Sequence, residues 1–201
     1  MSATFAPFGM RPVYHPSGLD RASAYFNGIL YDTESVVDNV ATGYPENIYK
    51  GQPVTVDGYG YILPADGTGP NVGAFAGVEW TDSTGRRRVS NYWPGGQQFV
   101  VGSVVVYAYD DPNIIYEIQM NGPIASGNLV KQYNFADKLA GSPGTGLSTC
   151  SLDNTAPAFG QAGGFFVRYI APYPDNAIDD QYPIVRGTLS FPGYKYNSAT
   201  N

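Results

Sequence analysis

The sequence predicts an all-β fold, a small barrel or sandwich with an extended N-terminal arm and little helix, and three observations carry that prediction. Short runs of β-branched and aromatic residues recur with turn signals about every ten residues, which is the pattern of a barrel or sandwich. The 201 residues include 25 Gly, 16 Pro and 17 Tyr, so the chain is dense in turns and rich in side chains that suit a pleated, half-buried surface. Only 14% of residues are charged, against about a quarter in an average soluble domain. That leaves much surface for association, because interface centres favour aromatic residues over Lys, Glu and Asp.

Residues 1–18 carry three prolines and alternate aromatic with small residues, so they should be extended. At roughly 3.3 Å per residue the segment up to Tyr14 reaches about 45 Å, enough to cross a neighbouring subunit. Frayed termini are usually polar, whereas Phe5, Phe8, Met10, Val13 and Tyr14 gain by burial, which predicts an arm that docks. Residues 24–31 read as a strand, followed by a polar connection with a short helical turn at 35–40. Residues 48–56 alternate around a Gly-Gln-Pro turn, 58–63 continue the pattern, and 66–71 form a loop. Residues 72–80 are a glycine-rich strand, as expected where two backbones approach or a barrel bends. A hairpin tip at 81–85 leads into Arg86, Arg87 and Arg88.

Residues 99–109 are again β-branched and aromatic. Beyond the turn Asp110-Asp111-Pro112-Asn113, Ile114, Tyr116, Ile118 and Met120 share one face, with Ile115, Glu117 and Gln119 on the other. Pro112 cannot donate to a ladder, so the turn is a hairpin or a corner between sheets, with the aspartates capping its backbone. Further strands are expected at 128–135, 164–170 and 184–189, with a flexible loop at 140–149, an acidic corner at 176–180 and a polar tail at 194–201. The organisation read from this is an arm at 1–18, a barrel-like half at 19–110 and a second β half at 111–201, the two halves forming one continuous sandwich or two small barrels.

Catalytic chemistry finds little to build on. His15 is the one histidine and lies in the arm between Tyr14 and Pro16, a poor setting for a positioned base. No Gly-x-Ser-x-Gly elbow or phosphate-binding loop occurs. Asp110, Asp111, Asp179, Asp180, Glu79 and Glu117 are the carboxylates from which a glycosidase pair would be drawn, but adjacent aspartates in a turn have a local backbone reason to be there. Asp175, Asn176, Asp179 and Asp180 offer oxygens to calcium without the spacing of an EF-hand. Cys150 has no disulfide partner and reads as a small filler in a reducing compartment. The formal net charge of −6 disfavours nucleic acid as a partner. With no apolar run of about 18 residues, no membrane is expected either. The Arg86–Arg88 knot either pairs with carboxylates of this or a neighbouring subunit or guards an exposed strand edge. The tyrosines with Trp80 and Trp93 fit core and interface better than a glycan-stacking platform.

Several segments occur in an order that resembles the head decoration, or cement, proteins of tailed bacteriophages. They are 8–18 (Phe-Gly-Met-Arg-Pro-Val-Tyr-His-Pro-Ser-Gly), 48–54, 77–80 (Gly-Val-Glu-Trp), 90–94 (Ser-Asn-Tyr-Trp-Pro) and the Asp110-Asp111-Pro112 turn with 115–119. They span about the first 120 residues. The resemblance implies a non-enzymatic virion protein without cofactor that sits on the outer capsid surface and binds the major capsid protein and itself, as a dimer or trimer. The interface residues expected on this reading are Phe5, Phe8, Met10, Arg11, Val13, Tyr14, His15, Arg86, Arg87, Arg88 and Trp93. Deleting residues 2–14 should then abolish capsid binding or oligomerisation and leave the fold intact. A glycan-binding module of a virion or cell surface is the alternative, and a β-fold carbohydrate-active enzyme the third.

Overall fold

A computed structural model describes residues 4–18, 22–31, 33–65, 71–155 and 164–190. The loop expected at 66–71, apart from Asn71, the tail at 194–201 and the first three residues of the arm lie outside the described residues. The fold is all-β. In chain order the arm carries β1 (Arg11–Tyr14), and the strands of the first half are β2 (Ser23–Tyr25), β3 (Val40–Thr42), β4 (Pro53–Val56), β5 (Ile62–Pro64), β6 (Gly73–Thr81), β7 (Arg87–Ser90), β8 (Gln98–Val100) and β9 (Val105–Tyr109). Then come β10 (Ile115–Gln119), β11 (Gln132–Tyr133), β12 (Phe135–Ala136), β13 (Gly141–Ser142), β14 (Leu147–Ser148), β15 (Ser151–Leu152), β16 (Phe165–Ile170) and β17 (Ile184–Leu189). The short helical turn falls at Thr33–Ser35, just before the place expected for it.

Two antiparallel sheets organise the molecule. One runs β2-β9-β6-β4-β5 with β7 also on β6, and the other runs β1-β10-β17-β16-β11. Strand β6 is central to the first because its early residues pair with β4 and its later ones with β7, while β9 lies along its other side. The glycines expected at close backbone approaches are there. A Cβ on Gly73 would lie 1.9 Å from the Tyr109 carbonyl oxygen, and the β6–β9 register shifts between Phe75 and Gly77. The run 99–109 is two strands rather than one, split by a turn at Gly102 with φ +77°.

Strands β9 and β10 belong to different sheets, so the Asp110–Asn113 turn is a corner and not a hairpin. Either side of it lies a separate apolar cluster. Ile29, Ile48, Val54, Phe75, Trp93, Phe99 and Val106 pack together in the first half, and Met10, Tyr116, Ile118, Met120, Phe135, Phe165 and Val185 in the second. Each large buried side chain contributes about 1.5–3 kcal/mol, so Met10, which is 1% exposed, makes the arm part of the second core. Cys150 is fully buried in the same core, and burial pushes its thiol pKa well up.

Candidate interaction surface

The arm docks on its own chain. Gln119 reaches it like a backbone group: its Oε1 accepts the Ala6 amide at 2.9 Å, and its Nε2 donates to the Thr4 carbonyl at 3.0 Å and the Tyr182 carbonyl at 3.2 Å. The Phe5 ring lies 5.2 Å from that of Tyr182. The Gly9 amide donates to the Cys150 carbonyl, and the Met10 amide to the Gly51 carbonyl at 2.7 Å. The arm thus holds the second half at Cys150 and the first at Gly51. Gly9 is required where it stands, because its φ is +72° and a Cβ would lie 2.8 Å from the Gly51 oxygen. Strand β1 then adds to β10 with Arg11 opposite Glu117, Pro12 opposite Tyr116 and Tyr14 opposite Ile115, so Val13 sits in a bulge. His15 Nε2 ends the strap 3.1 Å from Asp111 Oδ2, near enough for an ion pair when protonated although its alignment falls short of a hydrogen bond.

Beneath the strap lies a cluster that sequence reading missed. Glu117 is 0% exposed although alternation places it on the outer face of β10. It is covered because Arg11 and Arg186 occupy the register positions on either side of it, in β1 and β17. The Arg11 guanidinium donates to Oε1, Arg186 Nε donates to Oε2 at 2.9 Å and the Tyr173 hydroxyl donates to Oε2 at 2.8 Å. Arg11 also lies over the Phe8 ring, 4.9 Å from its centroid. Partial burial opposes the Arg186 charge, but Glu117 and Tyr173 outweigh it and raise its pKa. The only sequence signal was a lone carboxylate in a strand of Ile and Tyr. Its partners lie 106 residues upstream and 56 and 69 residues downstream.

Asp110, Asp111 and Asp180 serve local structure. Asp110 accepts the Ser23 hydroxyl at 2.6 Å and the Tyr25 hydroxyl at 2.7 Å, fastening β2 to the corner. Asp111 Oδ1 accepts the Asn113 amide at 2.8 Å, and that bond, with His15 adding its charge, holds its pKa below the usual range. In the acidic corner, Asn176 bonds the Ala171 carbonyl and both backbone groups of Ile184, while Asp180 accepts the Ala177 amide. No group of three His, Cys, Asp or Glu side chains is placed to hold a metal among the described residues.

The arginine knot pairs within its own hairpin. Arg87 bonds Glu79, and Arg88 Nε donates to Asp82 Oδ2 at 2.8 Å. Asp82 also caps the turn, and the Thr84 hydroxyl, the Arg86 amide and Arg88 together depress its pKa strongly. Arg86 has no ion pair among the described residues.

Three expected interface side chains are withdrawn from the surface, and one is the His15 imidazole, 7% exposed against Asp111. Met10 faces the second core, and Trp93 is 0% exposed because its ring meets Trp80 and Phe99 and its Nε1 donates to the Tyr44 carbonyl at 2.9 Å. Trp80 is buried beside it, so neither tryptophan is available to stack on a sugar. Phe8 and Val13 are half-buried, while Phe5, Arg11 and Tyr14 remain exposed. The most exposed aromatic side chains are instead at turns, inside the stretches expected as strand at 24–31 and 58–63. Phe26 is 72% and Tyr59 82% exposed, and Asn27 Nδ2 donates to the Tyr59 carbonyl at 2.8 Å, so the two turns are neighbours. An aromatic inside a Gly-rich turn, as in Asp57-Gly58-Tyr59-Gly60, was the available signal. The chain matches no protein-family model, no curated protein and no solved structure.

Proposed function

We propose that this chain is a structural virion protein that attaches to the outer surface of a phage capsid and stabilises the shell by many repeated contacts, without catalysis. The observation that carries the reading is the Phe26–Tyr59 pair, two nearly naked aromatics on adjoining turns joined by a hydrogen bond. Aromatic side chains held on a rigid scaffold are the residues that dominate binding energy at interfaces. On a symmetric shell each such contact is repeated, so a modest interface suffices and binding to the assembled state stabilises it by mass action. Both residues are exposed in the monomer, so replacing them with serine leaves the cores untouched.

The test is co-sedimentation of the protein with heads of the source phage, followed by heating. Binding that protects the heads, lost in the Phe26→Ser/Tyr59→Ser variant, supports the reading. Absence of binding by the intact protein rejects it. The same exposed rings favour a second reading, a glycan-binding module, for which retention on polysaccharide in the absence of heads is the discriminating result.

A further inference from the structure

Between the strap and the first half lies a cavity of about 170 Å³, walled by Phe8, Met10, Phe75 and Leu147, with Arg11 and Lys50 also lining it. A dry apolar cavity of about 150 Å³ is large enough to take benzene, so this one has room for a single ring. Its charge is unusual for a protein of formal net charge −6. Two cations and no carboxylate line it; Arg11 is held by Glu117, and Lys50 has no ion pair among the described residues. Apolar walls beside an unpaired ammonium fit an aromatic ring with a carboxylate attached or adjacent.

We propose that this pocket receives a phenyl-type side chain flanked by an acidic residue from the capsid partner, anchoring the chain to the shell. The inference rests on the capsid reading for the source of the ring, but the pocket itself is testable on the isolated protein. Leu147 is 43% exposed, so Leu147→Trp narrows the pocket without disturbing a core. Lys50→Met removes a charge and keeps the aliphatic stem. The probe is 3-phenylpropanoate, followed by chemical-shift titration, with 3-phenylpropanamide as the neutral control.

The wild-type protein should bind the carboxylate at least tenfold more tightly than the amide. Leu147→Trp should abolish binding, Lys50→Met should weaken it several-fold, and the probe should compete with heads for the protein. Equal affinity for carboxylate and amide, or no binding of either, overturns the pocket assignment whether or not heads are bound. If the probe binds but heads are bound equally well by wild type and Leu147→Trp, the partner side chain is refuted and a free small carboxylate is the occupant. Failure of the wild type to bind heads at all, with the probe still binding, refutes the capsid source in the same way.

Discussion

Glu117→Ala is expected to be among the most destabilising single changes in the protein, and its partners should rank in a definite order. The carboxylate is fully buried and satisfies Arg11, Arg186 and the Tyr173 hydroxyl at once. Removing it leaves the two guanidiniums facing each other across the gap with nothing between them. Breaking a buried pair costs about 3–5 kcal/mol, a large part of the roughly 5–15 kcal/mol that holds a typical domain together. The arginines differ in burial, 56% exposed for the Arg11 side chain and 21% for Arg186. Water replaces much of what Arg11 supplies, so Arg11→Ala should cost about 1–2 kcal/mol, between the values for exposed and buried pairs. Arg186→Ala should cost more, about 2–4 kcal/mol, because water reaches that side less and Oε2 keeps only the neutral Tyr173 hydroxyl in place of a charged donor. Urea unfolding followed by far-ultraviolet circular dichroism gives the three values. An order other than Glu117→Ala, then Arg186→Ala, then Arg11→Ala, or a loss below about 1 kcal/mol for Glu117→Ala, would refute the view that this triad is a buried structural unit.

Three further outcomes follow from the same geometry. Deleting residues 2–10 removes Met10 from the second core and two of the three partners of Gln119. The truncated protein should therefore lose several kcal/mol on the scale of about 1.5–3 kcal/mol for one buried apolar side chain; an unchanged urea midpoint would contradict this. Cys150 should resist thiol reagents in the native protein, because it is buried and its pKa is raised, and should react at the rate of unfolding; rapid native labelling would place the thiol at the surface. Asp82, Asp111 and Asp153 all have depressed pKa values, so their contribution to stability is fully present above the unfolded carboxylate value of about 4. It is lost as pH falls through the lower folded values, and Asp82→Asn should flatten that acid limb in melting curves recorded from pH 6 to 2.

The fold class was legible because its signals are local. Alternation over 114–120, the proline at the corner and the glycines of β6 each act within a few residues, and each has its expected structural role. What resisted reading was long-range. Whether the corner was a hairpin depended on which strands β9 and β10 joined, and those partners, β2 and β6 for one and β1 and β17 for the other, are distant in sequence. An aromatic beside a proline looks alike in a core and at an interface, so nothing near Trp93 in sequence shows which it joins; its burial is decided by Trp80, Phe99 and the Tyr44 carbonyl. Glu117 was hidden for the same reason, since nothing near it in sequence announces two arginines and a tyrosine.

The arm is bound into its own chain, and that bears directly on attachment. A segment that crosses to a neighbour must be replaceable at home, yet this one fills a core position at Met10, pairs a strand at Arg11–Tyr14 and bonds both halves through Gly51 and Cys150. Its departure would expose Glu117 and leave Gln119 with the Tyr182 carbonyl alone among its three partners. The two halves offer independent probes of that role, because Trp80 and Trp93 lie in one apolar cluster and Cys150 in the other. While the strap is in place, tryptophan fluorescence and Cys150 labelling should report one transition. Without residues 2–10 the second half should open first, so that Cys150 reacts at denaturant concentrations where the tryptophans are still native. Coincident transitions in the truncated protein would mean that the corner and the remaining contacts couple the halves unaided, and the arm would again be free to serve a partner.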